Sequence, residues 1–501
     1  MPLDGASRAR IAPFVTDLDA DVYALVGLPE EVVAVLFAYA TRTGEDLRSS
    51  LARLLTDGFL GVGDGASRDG GAAVAGRDRA SAFHQRWVAL YGHPSIAEHA
   101  TLHLVAENVS LLAARTLEDH RLSAFAEKST RFLSIDRQSY VDLPELGPDA
   151  ATFRSGAEQL LAAYEAVFPR AYAALDARTL RRDGQSDIER GESLRVATCD
   201  VLRGLLPAAL RTSVAVTANA RALDALLSKL ATSPLGEARR LGGALAATAR
   251  LVAPRLVAAQ HVSAQRAGLP DAVDRVLRTI YTPPEEGANA TMVVTQPVRL
   301  IRHDKDATER VALALAYEGS DARAHAFGFT EGLRQATAGE LESLLRAGLG
   351  ARADGEPLPR AFESARVTME IMVDYAAFRE LSRHRRLTPA TQRISCRLGF
   401  DTPGEITDLG VSDAYHEAML GAYTAWQHLE QVHPWEAQYL VPLGFRVRAL
   451  WTLDLRQLVH VVELRSRAGN HPSCRRIALA MYRSVVAVHP WLRDVIRVDL
   501  S

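Results

Sequence analysis

A chain of 501 residues is long enough for two or three domains with well-filled cores. Hydrophobic residues make up 48% and charged residues 24%, an ordinary globular balance, and 58 Lys and Arg against 60 Asp and Glu leave a net charge of −2. That balance excludes a nucleic-acid polyanion as the main partner, so any anion site must be local. Cys199, Cys396 and Cys474 lie far apart with no CxxC pair, which argues against a disulfide framework or a zinc site, and no metal site is expected. The N-terminus lacks the basic-then-apolar shape of a signal peptide, and no apolar run reaches the roughly 18 residues of a membrane span. A cytoplasmic protein without membrane contact is the expectation.

From about Glu30 to Leu60 the pattern is amphipathic helix. GVGDGASRDGGAAVAG (Gly61 to Gly76) interrupts it with a loose GxGxxA spacing. No strand leads into that stretch, so it reads as a flexible loop rather than a phosphate cradle. His99 to Val105 alternates and suits a short strand; a helical segment follows and ends near LEDHRLSAFAEKSTRF, Leu117 to Phe132. Ala151 to Ala267 reads as almost continuous helix, with alanine and leucine on most inner positions. TPPEEGAN, from Thr282 to Asn289, predicts a domain boundary that divides residues 1–285 from 286–501. TMVVTQPVRLIRHD then reads as strand, and helices resume at ATERVALALAYEG.

The second half repeats the order of the first. FESARVTMEIMVDYAAFRELSRHR (Phe362 to Arg385) parallels the segment leading into Asp119-His120-Arg121, and LWTLDLRQLVHVVELR (Leu450 to Arg465) parallels VTANARALDALLSKL (Val216 to Leu230). Arg121 and Arg385 are 264 apart, and Asn219 and Asp454 are 235 apart, so the copies differ mainly in loop length. Within each copy one spacing is identical: Arg203 precedes Asn219 by 16 residues, and Gln438 precedes Asp454 by 16. An ordered series of this kind points to a tandem duplication.

SRHRR (Ser382 to Arg386) gathers arginines around one histidine. Guanidinium forks there could grip a phosphate or stack on an electron-rich ring, or simply complement the negative end of a helix. KSTR (Lys128 to Arg131) offers a hydroxyl, backbone amides and an arginine, which suits a monophosphate; a helix N-cap at Ser129 is the plainer alternative. NAR, placed on a helix, would point Asn219 and Arg221 to different faces. GxSxG, HExxH and Walker A patterns are all lacking, and His93 and His99, six apart, are poorly spaced to share a helix face.

Taken together, GHPSIAEHA, DHRLSAFAEKS, RGLLP and NAR resemble the flavin-dependent thymidylate synthases, whose signature is Arg-His-Arg, seven residues, then Ser. The first copy keeps the spacing to Ser129 but has Asp119 and Ala126 where the family has arginine and asparagine. The second keeps Arg383-His384-Arg385, and its nearby serine, Ser395, falls two residues late. The resemblance implies an α+β fold of two tandem copies, each a small, mainly antiparallel twisted sheet with a helical bundle. It also implies a homodimer that forms a pseudo-tetramer.

By the same resemblance Glu127, Ser129, Arg131 and Arg203 bind dUMP, joined by Arg383 and Arg465 of the second copy. His99, His120, Arg121, Asn219 and Arg221 contact FAD, with Arg383, His384, Arg385 and Arg456 from the second copy. Ser129, Arg203 and His120 take the catalytic positions. Gln438, Asp454 and Ser364 replace an arginine, an asparagine and a histidine in the second copy, so one of two composite sites is expected to be degenerate. The implied reaction is reductive methylation of uracil C5, with FAD reduced by NADPH and methylenetetrahydrofolate as carbon donor. Two alternatives stay open: C5-methylation or hydroxymethylation of another pyrimidine nucleotide, and a non-catalytic flavin- or nucleotide-binding paralogue.

Overall fold

The computed structural model describes residues 3–41, 43–56, 94–133, 135–254, 256–257, 264–281, 296–321, 323 and 325–500. The glycine-rich stretch 61–76, His93 and the boundary segment 282–289 lie outside the described residues. The chain forms two compact units, Met1–Val109 with Thr116–Lys128 and Thr212–Tyr281, and Ser110–Arg115 with Ser129–Arg211 and Thr282–Ser501. Residues 129–211, from the expected first copy, thus fold together with the second half of the chain. None of the described helices is long and apolar enough to cross a membrane.

In the first unit the helices Gly5–Ile11, Glu30–Ala40 and Leu47–Thr56 close a small core around Ile11, Val35, Leu36, Leu51 and Leu54. The single amphipathic run read from the sequence is therefore two helices. Strands β1 (Thr101–Ser110), β2 (Ser123–Glu127) and β3 (Arg211–Asn219) form a sheet in the order β1-β3-β2, with Ser123 opposite Ala218 and Glu127 opposite Val214. The expected strand at His99 starts two residues later, and His99 itself ends a 3-10 turn, Pro94–His99.

β3 corrects the reading of Ala151 to Ala267 as continuous helix. RTSVAVTAN alternates buried and open positions along its length, the period of a strand with one face on a core. The alternation is short, and the helix Ala220–Ala231 follows it without a break. Helices Ala220–Ala231 and Gly236–Val252 follow β3.

In the second unit β4 (Val298–His303), β5 (Arg366–Asp374), β6 (Thr388–Thr391) and β7 (Arg446–Asp454) form an antiparallel sheet in the order β4-β5-β7-β6. Met369 pairs with Trp451 at its centre, both fully buried, and Thr368 and Thr452 join hydroxyls at 3.0 Å. Helices Leu455–Arg465 and Pro472–Val488 bury Leu458, Val462, Ile477 and Met481. Helices Ala150–Arg178 and Ser412–Val432 pack along each other. Gly156 makes close approach possible, because a Cβ there would lie 2.9 Å from the Leu440 side chain and 3.2 Å from Ala425 Cβ.

The duplication is visible in the hydrogen bonds. Leu111 N donates to Leu210 O (2.9 Å) and Leu112 N to Ala208 O (3.1 Å). Tyr375 N donates to Phe445 O (2.9 Å) and Ala376 N to Leu443 O (3.0 Å), the same pairs displaced by 264 on the donor and 235 on the acceptor. Four strand ends also cap the helices that follow: Ser110, Asn219, Asp374 and Asp454 accept from the N–H three residues on, at 2.9, 2.8, 2.8 and 2.7 Å. Each such cap contributes about 1 kcal/mol and fixes where its strand turns into helix.

The copies differ by one residue in the first of these strands. In the first unit Ala220 N donates to Ala100 O (2.9 Å), and in the second Leu455 N donates to Ala365 O (3.0 Å). Between Ala100 and Leu111 there is thus one residue more than between Ala365 and Tyr375. The burial alternation of β1 slips at Glu107 and Asn108, and Asn108 takes φ 56°, a left-handed conformation that asparagine tolerates. A bulge there absorbs the extra residue.

Candidate functional site

The second unit brings four of the expected site residues into one network. Arg203 opens the 3-10 turn Arg203–Leu205 directly after the helix Asp187–Leu202. Arg465 ends the helix Leu455–Arg465, and His384 lies in the turn between the helix Tyr375–Leu381 and β6. Arg131 sits in the short turn Thr130–Phe132.

Glu380, in the last turn of the helix Tyr375–Leu381, joins the arginines. Its Oε1 accepts from Arg465 Nη1 at 2.7 Å, and its Oε2 lies 3.7 Å from Arg203 Nη1. Its backbone carbonyl accepts from Arg465 Nη2 at 3.1 Å. Arg465 Nε donates to His384 Nε2 at 3.1 Å, which places the ring proton on Nδ1. Burial, with Arg465 and then His460 alongside, lowers the His384 pKa to about 3, so this imidazole is neutral at ordinary pH.

Arg131 Nε donates to Asp200 Oδ1 at 2.7 Å. That bond outweighs the cost of burial and raises the guanidinium above its usual range, with Asp200 and Glu380 adding to it as charges. Arg203 is the least satisfied member. Its side chain is 12% exposed, and its buried Nη2 has no hydrogen-bond partner among the described residues. A guanidinium nitrogen left so is costly unless a ligand meets it.

Other expected residues stand elsewhere. Ser129 Oγ accepts from Arg131 N at 3.3 Å, so the serine caps a 3-10 turn. Arg383 and Arg385 are exposed on either side of buried His384. Arg456 is at the opposite end of its helix from Arg465; it donates to Leu358 O (2.6 Å) and to Glu363 Oε1 (2.8 Å). Gln438, where the first copy has Arg203, is buried; it accepts from Ile394 N (3.3 Å) and donates to Trp435 O (3.1 Å). The amide at that position is thus occupied by backbone.

The remaining six expected residues lie in the first unit. His99 packs edge-on against Phe37 at 5.1 Å. His120 Nδ1 is 3.0 Å from Ser123 Oγ, Arg121 is exposed in the same turn, and Glu127 ends β2. Asn219 is not on the helix face expected for it: it ends β3 and its Oδ1 caps the helix Ala220–Ala231. Arg221 pairs with Glu98. Asp119, which stands in place of an arginine, pairs with Lys229 at 2.6 Å.

Glu380, Asp200 and His471 escaped the sequence reading. His471 lines a 220 Å³ cavity with Asp200 and Arg203, and burial followed by the Arg203 charge lowers its pKa. Glu380 had a usable signal, since ELSRHR places it one helical turn before Arg383. Asp200 and His471 are 69 residues from Arg131 and 268 from Arg203, separations that only the fold closes. Cys474 and Cys396 are buried, and burial pushes both thiols up, so neither of these two joins the network as an anion.

A tandemly duplicated α+β chain, with arginines from both repeats around one shared carboxylate, is the class that this fold and site define. The chain belongs to the thymidylate synthase complementing protein family, whose model matches residues 37–255 and 299–491. It is 30% identical over 507 residues to a UPF0159 protein of Chlamydia muridarum, covering 99% of this chain and 95% of that one. A UPF0159 protein of Thermoplasma acidophilum is 26% identical over 84% of this chain and 89% of its own length. A flavin-dependent thymidylate synthase of Clostridium tetani is 29% identical over 33% of this chain and 65% of its own.

Proposed function

We propose that this protein is a flavin-dependent thymidylate synthase that methylates dUMP at C5, taking the carbon from methylenetetrahydrofolate and electrons from NADPH through FAD. The observation that carries this reading is the meeting of Arg131 and Arg203 from the first repeat with Arg465 and His384 from the second in one compact unit. Arg203, with an unmatched buried N–H, is ready for an anionic or carbonyl-bearing ligand. The family membership and the partial likeness to the Clostridium tetani flavin-dependent thymidylate synthase support the same reading.

In this reading Ser129, Arg131 and Arg203 bind the nucleotide with Arg465, and the family likeness assigns Glu127 to the same ligand. Arg383 and Arg385, exposed beside His384, form a donor pair that suits the diphosphate of FAD. Bound FAD would supply the hydride-carrying chemistry. His99, His120, Arg121, Asn219, Arg221 and Arg456 complete the flavin set that the family likeness assigns. Asn219 and Arg456 fit it least well, because a helix cap and Glu363 already engage them. The site containing Gln438 is the degenerate one, its amide held by backbone. We further propose that the repeats divide near residue 285 and that two chains pair into a pseudo-tetramer.

The test is an absorbance spectrum of the purified protein reconstituted with FAD, followed by dUMP-dependent NADPH oxidation. A protein that takes up no FAD sinks the proposal. A flavoprotein that turns over dCMP or UMP but not dUMP moves it to another pyrimidine nucleotide.

A further inference from the structure

Three guanidiniums meet two carboxylates: Arg131 pairs with Asp200, and Arg203 and Arg465 share Glu380. These five side chains sum to one positive charge, and Asp374 lines the same cavity as Asp200 and Arg203, so the site holds too little positive charge to balance a phosphate dianion. The two carboxylates are not equivalent. Asp200 holds Arg131 by a direct 2.7 Å bond and touches neither of the other two arginines through a hydrogen bond or ion pair among the described residues. Glu380 bridges the repeats, tightly to Arg465 and loosely, at 3.7 Å, to Arg203.

We propose that Glu380 is an internal anion that sets the charge selectivity of this cluster, restraining Arg203 until a ligand bearing a phosphate dianion draws it away. The proposal rests on the nucleotide-site reading above and goes beyond it by naming the residue that the ligand must compete with. Arg465 cannot be the one released, because its Nε and both terminal nitrogens are engaged by His384, the Glu380 carboxylate and the Glu380 carbonyl. Arg203 can: its only ion pair among the described residues is the long one, and its Nη2 has none. A neutral ligand gains nothing by breaking the Arg203–Glu380 contact, whereas a dianion replaces it with a stronger, charge-assisted one. Ground-state affinity is thereby lowered for every anion, and weak monoanions are excluded.

The experiment is calorimetric titration of wild type, Glu380→Gln and Glu380→Asp with inorganic phosphate, dUMP and deoxyuridine, with circular dichroism of each protein as the check on folding. Glu380→Gln removes the competing charge and is expected to bind phosphate and dUMP at least about tenfold tighter, with deoxyuridine changed less than about twofold. Glu380→Asp keeps the charge but shortens the reach toward Arg203, and is expected to fall between the two. If both variants bind phosphate no tighter than wild type, the proposal is overturned. Tighter phosphate binding with no dUMP binding in any of the proteins would keep Glu380 as the internal anion and remove the nucleotide reading instead.

Discussion

Pro207 and Pro442 lie opposite one another in an antiparallel bridge, and the hydrogen bonds around them are reciprocal. Ala208 N donates to Val441 O (2.9 Å) and Leu443 N to Leu206 O (2.8 Å); Ala209 N donates to Tyr439 O (2.7 Å) and Gly444 N to Gly204 O (2.9 Å). Each bond maps onto its mate when 235 is added to one residue and subtracted from the other. RGLLP and QYLVP, recognisable as equivalents by spacing, are thus joined face to face across a local two-fold within the second unit. Arg203 and Gln438 head the two arms of that junction, so an arginine stands on one arm and an amide on the other.

The junction is tight enough to test. A Cβ added at Gly204 would lie 2.5 Å from the Tyr415 hydroxyl, and one at Gly444 would meet the same atom at 2.5 Å. Gly204→Ala is expected to destabilise the protein by about 1–3 kcal/mol through overpacking. Tyr415→Phe removes the clashing oxygen, so the double variant should recover much of that loss in denaturant unfolding. Additive losses in the double-mutant cycle would show that the clash is not the cause.

Arg203 itself makes only one long ion pair among the described residues, so its removal should leave stability almost unchanged. Arg203→Ala is expected to weaken dUMP binding by roughly tenfold to a hundredfold, the range for a lost charge-assisted contact. Gln438→Ala should do the reverse, lowering stability by about 1–3 kcal/mol because Ile394 N and Trp435 O lose a buried partner, with little effect on nucleotide affinity. Isothermal titration and thermal unfolding of the two variants separate these outcomes. Equal effects of both on binding would remove the assignment of the complete cluster to Arg203.

Much of this was legible in the chain. Two constant offsets and a repeated 16-residue spacing located the equivalent strand ends, and the structure reproduces both offsets in its backbone hydrogen bonds. β3 was not legible, because its nine alternating residues are few against the helical runs on either side and the helix Ala220–Ala231 follows without a break. Nor could spacing show that residues 129–211 fold with the second half, since that depends on long-range pairing such as Pro207 with Pro442. Asn219 was misplaced for a local reason. An asparagine before a helical run is favoured as its N-cap, and the pattern NAR does not by itself separate a cap from a first turn.

His384 gives the network a pH dependence. Its folded pKa of about 3 lies below the ordinary histidine value of 6.5, so the unfolded chain binds the extra proton first. Stability from this group is present above pH 6.5 and is lost as pH falls from there toward 3, by at most about 1.4 kcal/mol per unit. His384→Gln keeps an acceptor for Arg465 but cannot titrate. Its unfolding free energy should therefore fall less steeply than wild type between pH 6.5 and 4. His489, also lowered by burial and by His303, keeps some slope in both proteins. Identical slopes would mean that His384 is not buried in its neutral form.

Asp119 raises the converse question, whether the first copy could be repaired by restoring the missing arginine. Lys229 answers it, because its ammonium donates to the Asp119 carboxylate at 2.6 Å and to the Asp119 carbonyl at 2.5 Å. Asp119→Arg would set a guanidinium against that ammonium and break the pair. Both partners are partly exposed, with side chains 48% and 31% accessible, so the cost is expected to stay within about 1 kcal/mol. No gain in FAD or dUMP affinity is expected, since the new guanidinium would stand against the Lys229 ammonium with the Asp119 carboxylate removed. Asp119→Arg combined with Lys229→Ala removes that opposition and should relieve the instability. A rise in FAD affinity with the single substitution alone would show that the Lys229 ammonium does not oppose an arginine at position 119.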